Sequence, residues 1–482
     1  MQCNTGLQIL NEHIARGAEH DSIEGSKPPG CYPGTRKTVL REIWSWIDDH
    51  NSDTRILSLY GQAGAGKTAI AVTLREGLKA AGRLGGDYFF SRNARKDATL
   101  LFPTISHYLA TTFPSAREAV ERAFAKDRDV LYRTTDIQLQ RLIIEPLLTL
   151  DPKLNVLPLV IVIDGLDECE GQVFRIIEQI FSVYHSSHSL PLRFVITSRP
   201  EHGIRKKFIS EPICQLLQVS AEETPEDQDI RMYLESRFKD IRDNPSHQNR
   251  LSNITLPWPS PSDLDQLVEM ASGLFIYAVM VLKFVSDPHA MPDERLKLVL
   301  SLRSEFSPKS AKPITDLDRL YKEILSMIPL PNRAKAKAIL GAVLYVSPST
   351  TTYQNEALSI TELLLGLKAG ESYSVLDSVH SLFHIPQSFG TAHRDSMTPE
   401  EYKVWMKDGR CAVRFYHQSF PDFLGNRTRS GEYFVDKNTV NAKLAVGCIK
   451  ILQGLSAEHV CSRLYCGKYY YSLCHRLLPT FI

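Results

Sequence analysis

Residues Gly61 to Thr68 read GQAGAGKT and fit the spacing G-x-x-x-x-G-K-[ST]. The chemistry open to that spacing is the grip of a phosphate tail. Glycines at 61, 64 and 66 let the main chain wrap closely and turn its N–H groups inward, and a helix starting at the lysine presents its positive end to the anion. Lys67 has the length and charge to reach the β- and γ-phosphates of a nucleotide. Thr68 offers a hydroxyl to Mg²⁺, and Ala65 and Ala69 line the loop and the first turn around them. The flanks agree: a β-rich run, ILSLY, leads in and AIAVTLREGLKA follows as a helix. The alternative, a chance Gly-rich turn before a helix, predicts no partner motif downstream.

A partner motif is present. Leu159 to Glu168 read LVIVIDGLDE, an apolar strand that delivers Asp164 to the edge of a sheet, with two further carboxylates just past it. Asp164 suits Mg²⁺ held through water, and Asp167 or Glu168 is placed to orient or deprotonate an attacking water if hydrolysis occurs. An acidic turn after a core strand is the plainer alternative. A third run, RFVITS, ends at Arg199-Pro200. Proline biases the residue before it towards extended backbone, so Arg199 should project from the strand end, either onto a γ-phosphate or into an ordinary surface ion pair. Arg92, after DYFF, is a second candidate of the same kind.

Only a parallel sheet brings such residues together. From Arg55 to Pro200, short β-rich runs (ILSLY, DYFF, PLVIVID, RFVITS) alternate with longer helical stretches, the order expected of parallel strands joined by crossover helices. The expected fold class is α/β: a P-loop NTPase parallel sheet with flanking helices over residues 31–217, after a lead-in segment at 1–30. Thr224-Pro225-Glu226-Asp227 then supplies an N-cap, a first-turn proline and early acidic residues, opening a helical domain expected at 218–330. Within it, Leu274 to Val285 is apolar on nearly all sides and should be buried. Residues 331–437 read as short helices followed by β-like runs, CAVRFYHQSF and YFVD, compatible with a winged-helix-like domain. Residues 438–482 read as the start of a C-terminal helical region, truncated before any repeat array.

At 482 residues and 43% apolar, the chain is long enough for several packed cores. Lys and Arg number 56 against 55 for Asp and Glu, and a net charge of +1 makes no broad field for DNA, RNA or an anionic membrane, so no nucleic-acid partner is expected. The longest apolar stretch, LFIYAVMVL, falls short of the roughly 18–20 residues of a membrane span. The N-terminus has no basic segment followed by an apolar run, so the expected compartment is the cytoplasm. Nine scattered cysteines fit reducing surroundings. Cys461, Cys466, Cys474 and His475 lack a tight CxxC pair and read as packed residues rather than a zinc site.

DGLDE, with Gly165 directly after the aspartate, resembles the NACHT version of the Walker B motif in the STAND class of P-loop NTPases. CYPGTR, ILSLYGQAGAGKTAIA, DYFFSR, FVITSRP, ASGLFIYA and RFYHQSFPDFL resemble successive motifs of fungal, nephrocystin-like NACHT proteins, a likeness spanning residues 5 to 450. The resemblance implies ATP/ADP and Mg²⁺ as cofactors, an ADP-bound closed state, and exchange for ATP with opening and self-association. It further implies slow ATP hydrolysis and signalling to an effector protein in fungal non-self recognition or cell death. On the same grounds His417 touches the ADP β-phosphate, against the alternative of a histidine satisfied in a winged-helix core. Thr35 and Arg36 border the nucleotide or brace the loop, and Ser272 and Gly273 let the helical domain approach the nucleotide or serve helix packing.

A GTPase is disfavoured because no N-K-x-D motif follows Asp164, which leaves adenine as the base. Two further readings stay open. One is an AAA+-like machine that turns over ATP continuously as a ring; the other is a short regulatory module that holds nucleotide and acts on a larger homologue. The activating ligand and the effector are not written in the sequence.

Overall fold

The computed structural model describes residues 5–15, 29–91, 97–150, 158–186, 190–219, 225–251, 254, 256–303, 314–345, 361–362, 364–368, 370–384 and 414–454. Arg92, Thr224, the start of CAVRFYHQSF, and Cys461, Cys466, Cys474 and His475 lie outside them. The chain divides into two compact units, Met1–Asp229 and Ile230–Ile482.

The first unit is built on five strands: β1 (Ile56–Tyr60), β2 (Leu84–Phe89), β3 (Leu159–Asp164), β4 (Leu192–Ser198) and β5 (Cys214–Gln218). All pairings are parallel and the order is β2-β3-β4-β1-β5. Every residue of β3 and β4 is buried, as strands covered on both faces must be. Their side chains part by alternation. Ile161, Ile163, Phe194 and Ile196 join one apolar cluster, while Val160, Val162 and Val195 join the other. Helices flank the sheet, among them α1 (Gly6–Glu12), α2 (Lys37–Asp48), α3 (Lys67–Ala80), α4 (Leu101–Thr112), α5 (Pro114–Lys126), α6 (Val173–Ser186) and α7 (His202–Ile209).

The strand order positions the chemistry. β4 lies between β1 and β3, pairing Ser198 with Tyr60 and Ile196 with Ile163. The Gly-rich loop after β1, Asp164 at the end of β3 and Arg199 just past β4 therefore share one edge of the sheet.

Two strands differ from the sequence reading. β2 begins at Leu84, ahead of DYFF, because Gly85 and Gly86 carry no side chain to show a pattern. A Cβ on Gly86, whose φ is +141°, would stand 2.8 Å from the Ile105 side chain, so α4 packs directly on the strand. β5 escaped notice because CQLLQ, at the sheet edge, is only partly covered and shows no apolar alternation.

α1 docks on α5, where the Glu121 carboxylate accepts from the N–H groups of Gly6 at 2.7 Å and Leu7 at 3.0 Å, satisfying the helix start with a negative charge. Glu121→Ala is expected to cost the first unit about 1–2 kcal/mol. Urea unfolding followed by circular dichroism checks this, and an unchanged midpoint would show that the contact is idle.

The second unit is helical. α8 (Pro225–Asp243) crosses the sequence boundary between the units, and α9 (Pro261–Ala271), α10 (Phe275–Val285), α11 (Pro292–Ser301), α12 (Ile314–Ser326) and α13 (Leu330–Tyr345) follow. α10 is buried at Ile276, Tyr277, Ala278, Met280, Val281 and Leu282, so its all-round apolarity reflects a core position. Ser272 (φ +45°) and Gly273 (φ +73°) turn the chain from α9 into α10. Antiparallel β6 (Phe383–His384) and β7 (Arg414–Phe415) pair as a two-stranded sheet, and α14 (Ser419–Leu424) and α15 (Lys437–Gly454) follow, an order compatible with the expected winged-helix-like domain. YFVD is not a strand: Gly431–Tyr433 is a 3-10 turn, and Val435 enters the core with its N–H on Leu424 O at 2.9 Å. Its apolar residues anchor a turn rather than pair with a neighbour. Arg429 clasps Asp318 of α12, with Nε 3.0 Å and Nη2 2.7 Å from its two carboxylate oxygens.

Among the described residues no helix is long and apolar enough to cross a membrane, and no group of three or more His, Cys, Asp or Glu is placed to hold a metal.

Candidate functional site

The loop after β1 turns on Gly64 (φ +85°) and Gly66 (φ +91°), left-handed positions that side chains rarely adopt. Gly61 is fixed for another reason: a Cβ there would meet the Val219 carbonyl oxygen at 2.8 Å. α3 starts directly at Lys67 with no side-chain cap from Gly66, so its positive end opens on the loop. Lys67 Nζ donates to the carbonyls of Gly61 (2.7 Å) and Gln62 (2.9 Å), folding the loop around the amine. Burial pushes the Lys67 pKa down to about 8, against the pull of the Asp167 and Asp164 carboxylates. A desolvated ammonium held by two loop carbonyls is suited to an anion. Ala65 is fully buried, and Ala69 is half-buried in the first turn of α3.

Asp164 is 4% exposed and is held at both oxygens. Thr68 Oγ1 donates to Oδ2 at 2.9 Å and Thr197 Oγ1 donates to Oδ1 at 2.6 Å. Burial raises the Asp164 pKa, while the two hydroxyls and Lys67 pull it back. Hydroxyl and carboxylate oxygens are hard donors, so the pair fits Mg²⁺ with phosphate and water completing its shell. Thr197, on β4, was missed by sequence reasoning. The one available signal was a hydroxyl near the buried end of an apolar strand, two residues before Arg199.

Asp167 and Arg199 face each other. The Arg199 N–H donates to Asp167 Oδ1 at 2.9 Å, and its Nε lies 3.2 Å from Oδ2, with side chains 20% and 2% exposed respectively. The arginine does reach the site edge, and it does so paired with a buried carboxylate. Glu168 is half-buried in the short turn Leu166–Glu168, close enough to Lys67 to act on its charge.

Arg36 and Thr35, both 3% exposed, stand beside the loop. Arg36 takes a left-handed backbone (φ +56°) with its N–H on Asp229 Oδ2 and its Nη2 on Ala65 O, each at 2.8 Å. The Thr35 hydroxyl donates to the Tyr32 carbonyl at 2.7 Å and so braces the lead-in turn. His417 belongs to the second unit, where its Nδ1 accepts the Ser419 N–H at 3.0 Å and lies 2.7 Å from Ser419 Oγ. That oxygen also meets the Tyr321 hydroxyl at 2.7 Å.

The profile of the family described as Nephrocystin 3, N-terminal, matches residues 34–199. No curated protein matches the chain by sequence. Among solved structures the chain is similar to the Orc1 protein of Aeropyrum pernix in complex with DNA, at 13% identity over 86% of this chain and 94% of that one, with a TM-score of 0.34. Cdc6p of Pyrobaculum aerophilum gives 14% identity over 77% of this chain and 92% of that one, with a TM-score of 0.33. Drosophila ORC bound to DNA gives 14% over 77% and 94%, with a TM-score of 0.30. The parallel sheet, with a Gly-rich loop after β1 and a buried aspartate closing β3, is the fold of a P-loop NTPase.

Proposed function

We propose that the first unit binds an adenine nucleotide with Mg²⁺ and that the chain works as a switch of the STAND class, NACHT type, with slow ATP hydrolysis. The observation that carries this is the joint placement of Lys67, Thr68 and Asp164: a half-buried amine held by the loop's carbonyls, with two oxygen donors 2.9 Å apart beside it. Lys67 and the loop amides hold the phosphates. Thr68 and Asp164 hold Mg²⁺, which when bound neutralises charge on the β- and γ-phosphates. Arg199 reads the γ-phosphate, Arg36 and Thr35 shape the loop beside it, and Glu168 orients water, since Asp167 is engaged by Arg199. Adenine is favoured by the lack of an N-K-x-D motif after Asp164.

On this reading the ADP form is closed and long-lived, and the ATP form opens and self-associates to engage an effector protein, in fungal non-self recognition or cell death. The test is to denature freshly purified protein, identify the released nucleotide by chromatography, and measure steady-state ATP turnover on the native chain. Retained ADP with slow turnover is expected. Rapid continuous turnover would favour a ring-forming machine instead, and an empty site that also takes up no ADP at millimolar concentration with Mg²⁺ would end the proposal.

A further inference from the structure

Thr197, one residue before the end of β4, has none of its surface exposed and lies on the strand between those that carry the Gly-rich loop and Asp164. A threonine hydroxyl has one proton and two lone pairs, and both capacities are engaged here. Oγ1 donates to Asp164 Oδ1 at 2.6 Å and accepts from the Gly165 N–H at 2.9 Å. The second Asp164 oxygen takes the Thr68 hydroxyl at 2.9 Å. One carboxylate is thus gripped from β4 on one side and from α3 on the other. The terminal torsion of an aspartate is otherwise broad and roughly two-fold, so an ungripped Asp164 would sample several orientations. Gly165, at φ +70°, turns the chain immediately after the strand, and Thr197 ties that turn to the carboxylate in the same stroke.

We infer that Thr197 is a positioning residue for the metal side of the site: by holding Oδ1, it keeps the Oδ2 edge of Asp164 beside Thr68, presetting the oxygen pair offered to Mg²⁺. The inference rests on the nucleotide reading above and adds a residue that contacts neither phosphate nor base. A hydroxyl serving only the fold needs no more than the Gly165 N–H and a nearby acceptor. What distinguishes Thr197 is that its single proton goes to the group the metal must share. Partners of this kind behind a metal ligand are commonly worth about 10–100-fold in metal affinity.

The test is a titration of fluorescent ADP into the intact chain, with Mg²⁺ and with EDTA, for wild type, Thr197→Val, Thr197→Ala and Thr197→Ser, alongside thermal melts. Wild type should bind more tightly with Mg²⁺. Thr197→Val, which keeps the volume, and Thr197→Ala, which cannot clash, should each lose about tenfold of that Mg²⁺-dependent gain. Their affinity in EDTA should stay as in wild type, and Thr197→Ser, which keeps the hydroxyl, should restore the gain. If either hydroxyl-free variant retains the full gain, or loses affinity equally in both conditions, the residue is structural and the inference is overturned. A wild-type chain that binds no ADP in either condition refutes the nucleotide reading itself, and the inference with it.

Discussion

Lys67→Ala lowers the affinity for ADP by about 100-fold or more, as measured by isothermal titration or fluorescent nucleotide binding. The wild-type ammonium is desolvated, its pKa is down to about 8, and two loop carbonyls hold it at 2.7 and 2.9 Å. A charge so prepared makes strong bonds to phosphate oxygens, each worth about 1.5–3 kcal/mol, and two of them account for the expected loss. The nucleotide-free protein should lose little stability, because removing a half-buried ammonium also removes its desolvation cost. Collapse of binding without collapse of folding is therefore the signature. An affinity within a few-fold of wild type would mean that Lys67 closes the loop and does not read phosphate.

Asp318→Ala destabilises the second unit by about 2–4 kcal/mol. Arg429 is bound to both oxygens of Asp318, at 3.0 and 2.7 Å, and the two side chains are only 22% and 12% exposed. Truncating the acid leaves a partly buried guanidinium without its carboxylate, which costs more than the pair is worth intact; the residual exposure places the effect below that of a fully buried pair. Arg429→Lys should fall short of wild type, since an ammonium lacks the planar fork that meets two oxygens. Urea unfolding of the whole chain, followed by a probe in the second unit, measures it. A change under about 1 kcal/mol would place the pair among ordinary surface contacts.

The Gly-rich loop and Asp164 were legible in the sequence because their chemistry demands fixed residue types at fixed spacing on strands that are almost wholly apolar. The parallel sheet was legible for the same reason: β3 and β4 are buried at every residue and read as continuous apolar runs. Where side chains carry no pattern, reading failed. Gly85 and Gly86 hid the start of β2, the edge strand β5 lacked alternation, and the aromatic YFVD run was apolar to anchor a turn. Pairings across the sheet were out of reach in principle. Nothing local to Thr197 says that its proton goes to Asp164, and nothing local to Arg199 says that Asp167 holds it, because both contacts are made by strand order.

The Asp167–Arg199 pair has a consequence for how sharply the proposed switch can discriminate. Asp167 behaves as a tethered imitation of a phosphate oxygen, present at a very high local concentration. A third phosphate must share the arginine's charge with this resident carboxylate, already engaged through Nε and the main-chain N–H, so the net preference for triphosphate over diphosphate is reduced by the pair already made. A full reversal from 1:99 to 99:1 needs about 5.5 kcal/mol of such preference, more than one contested arginine, at about 1.5–3 kcal/mol, can provide. Weakening the competitor with Asp167→Asn should therefore shift the chain towards the triphosphate form at a given ATP to ADP ratio, a gain of sensitivity from the loss of a native contact.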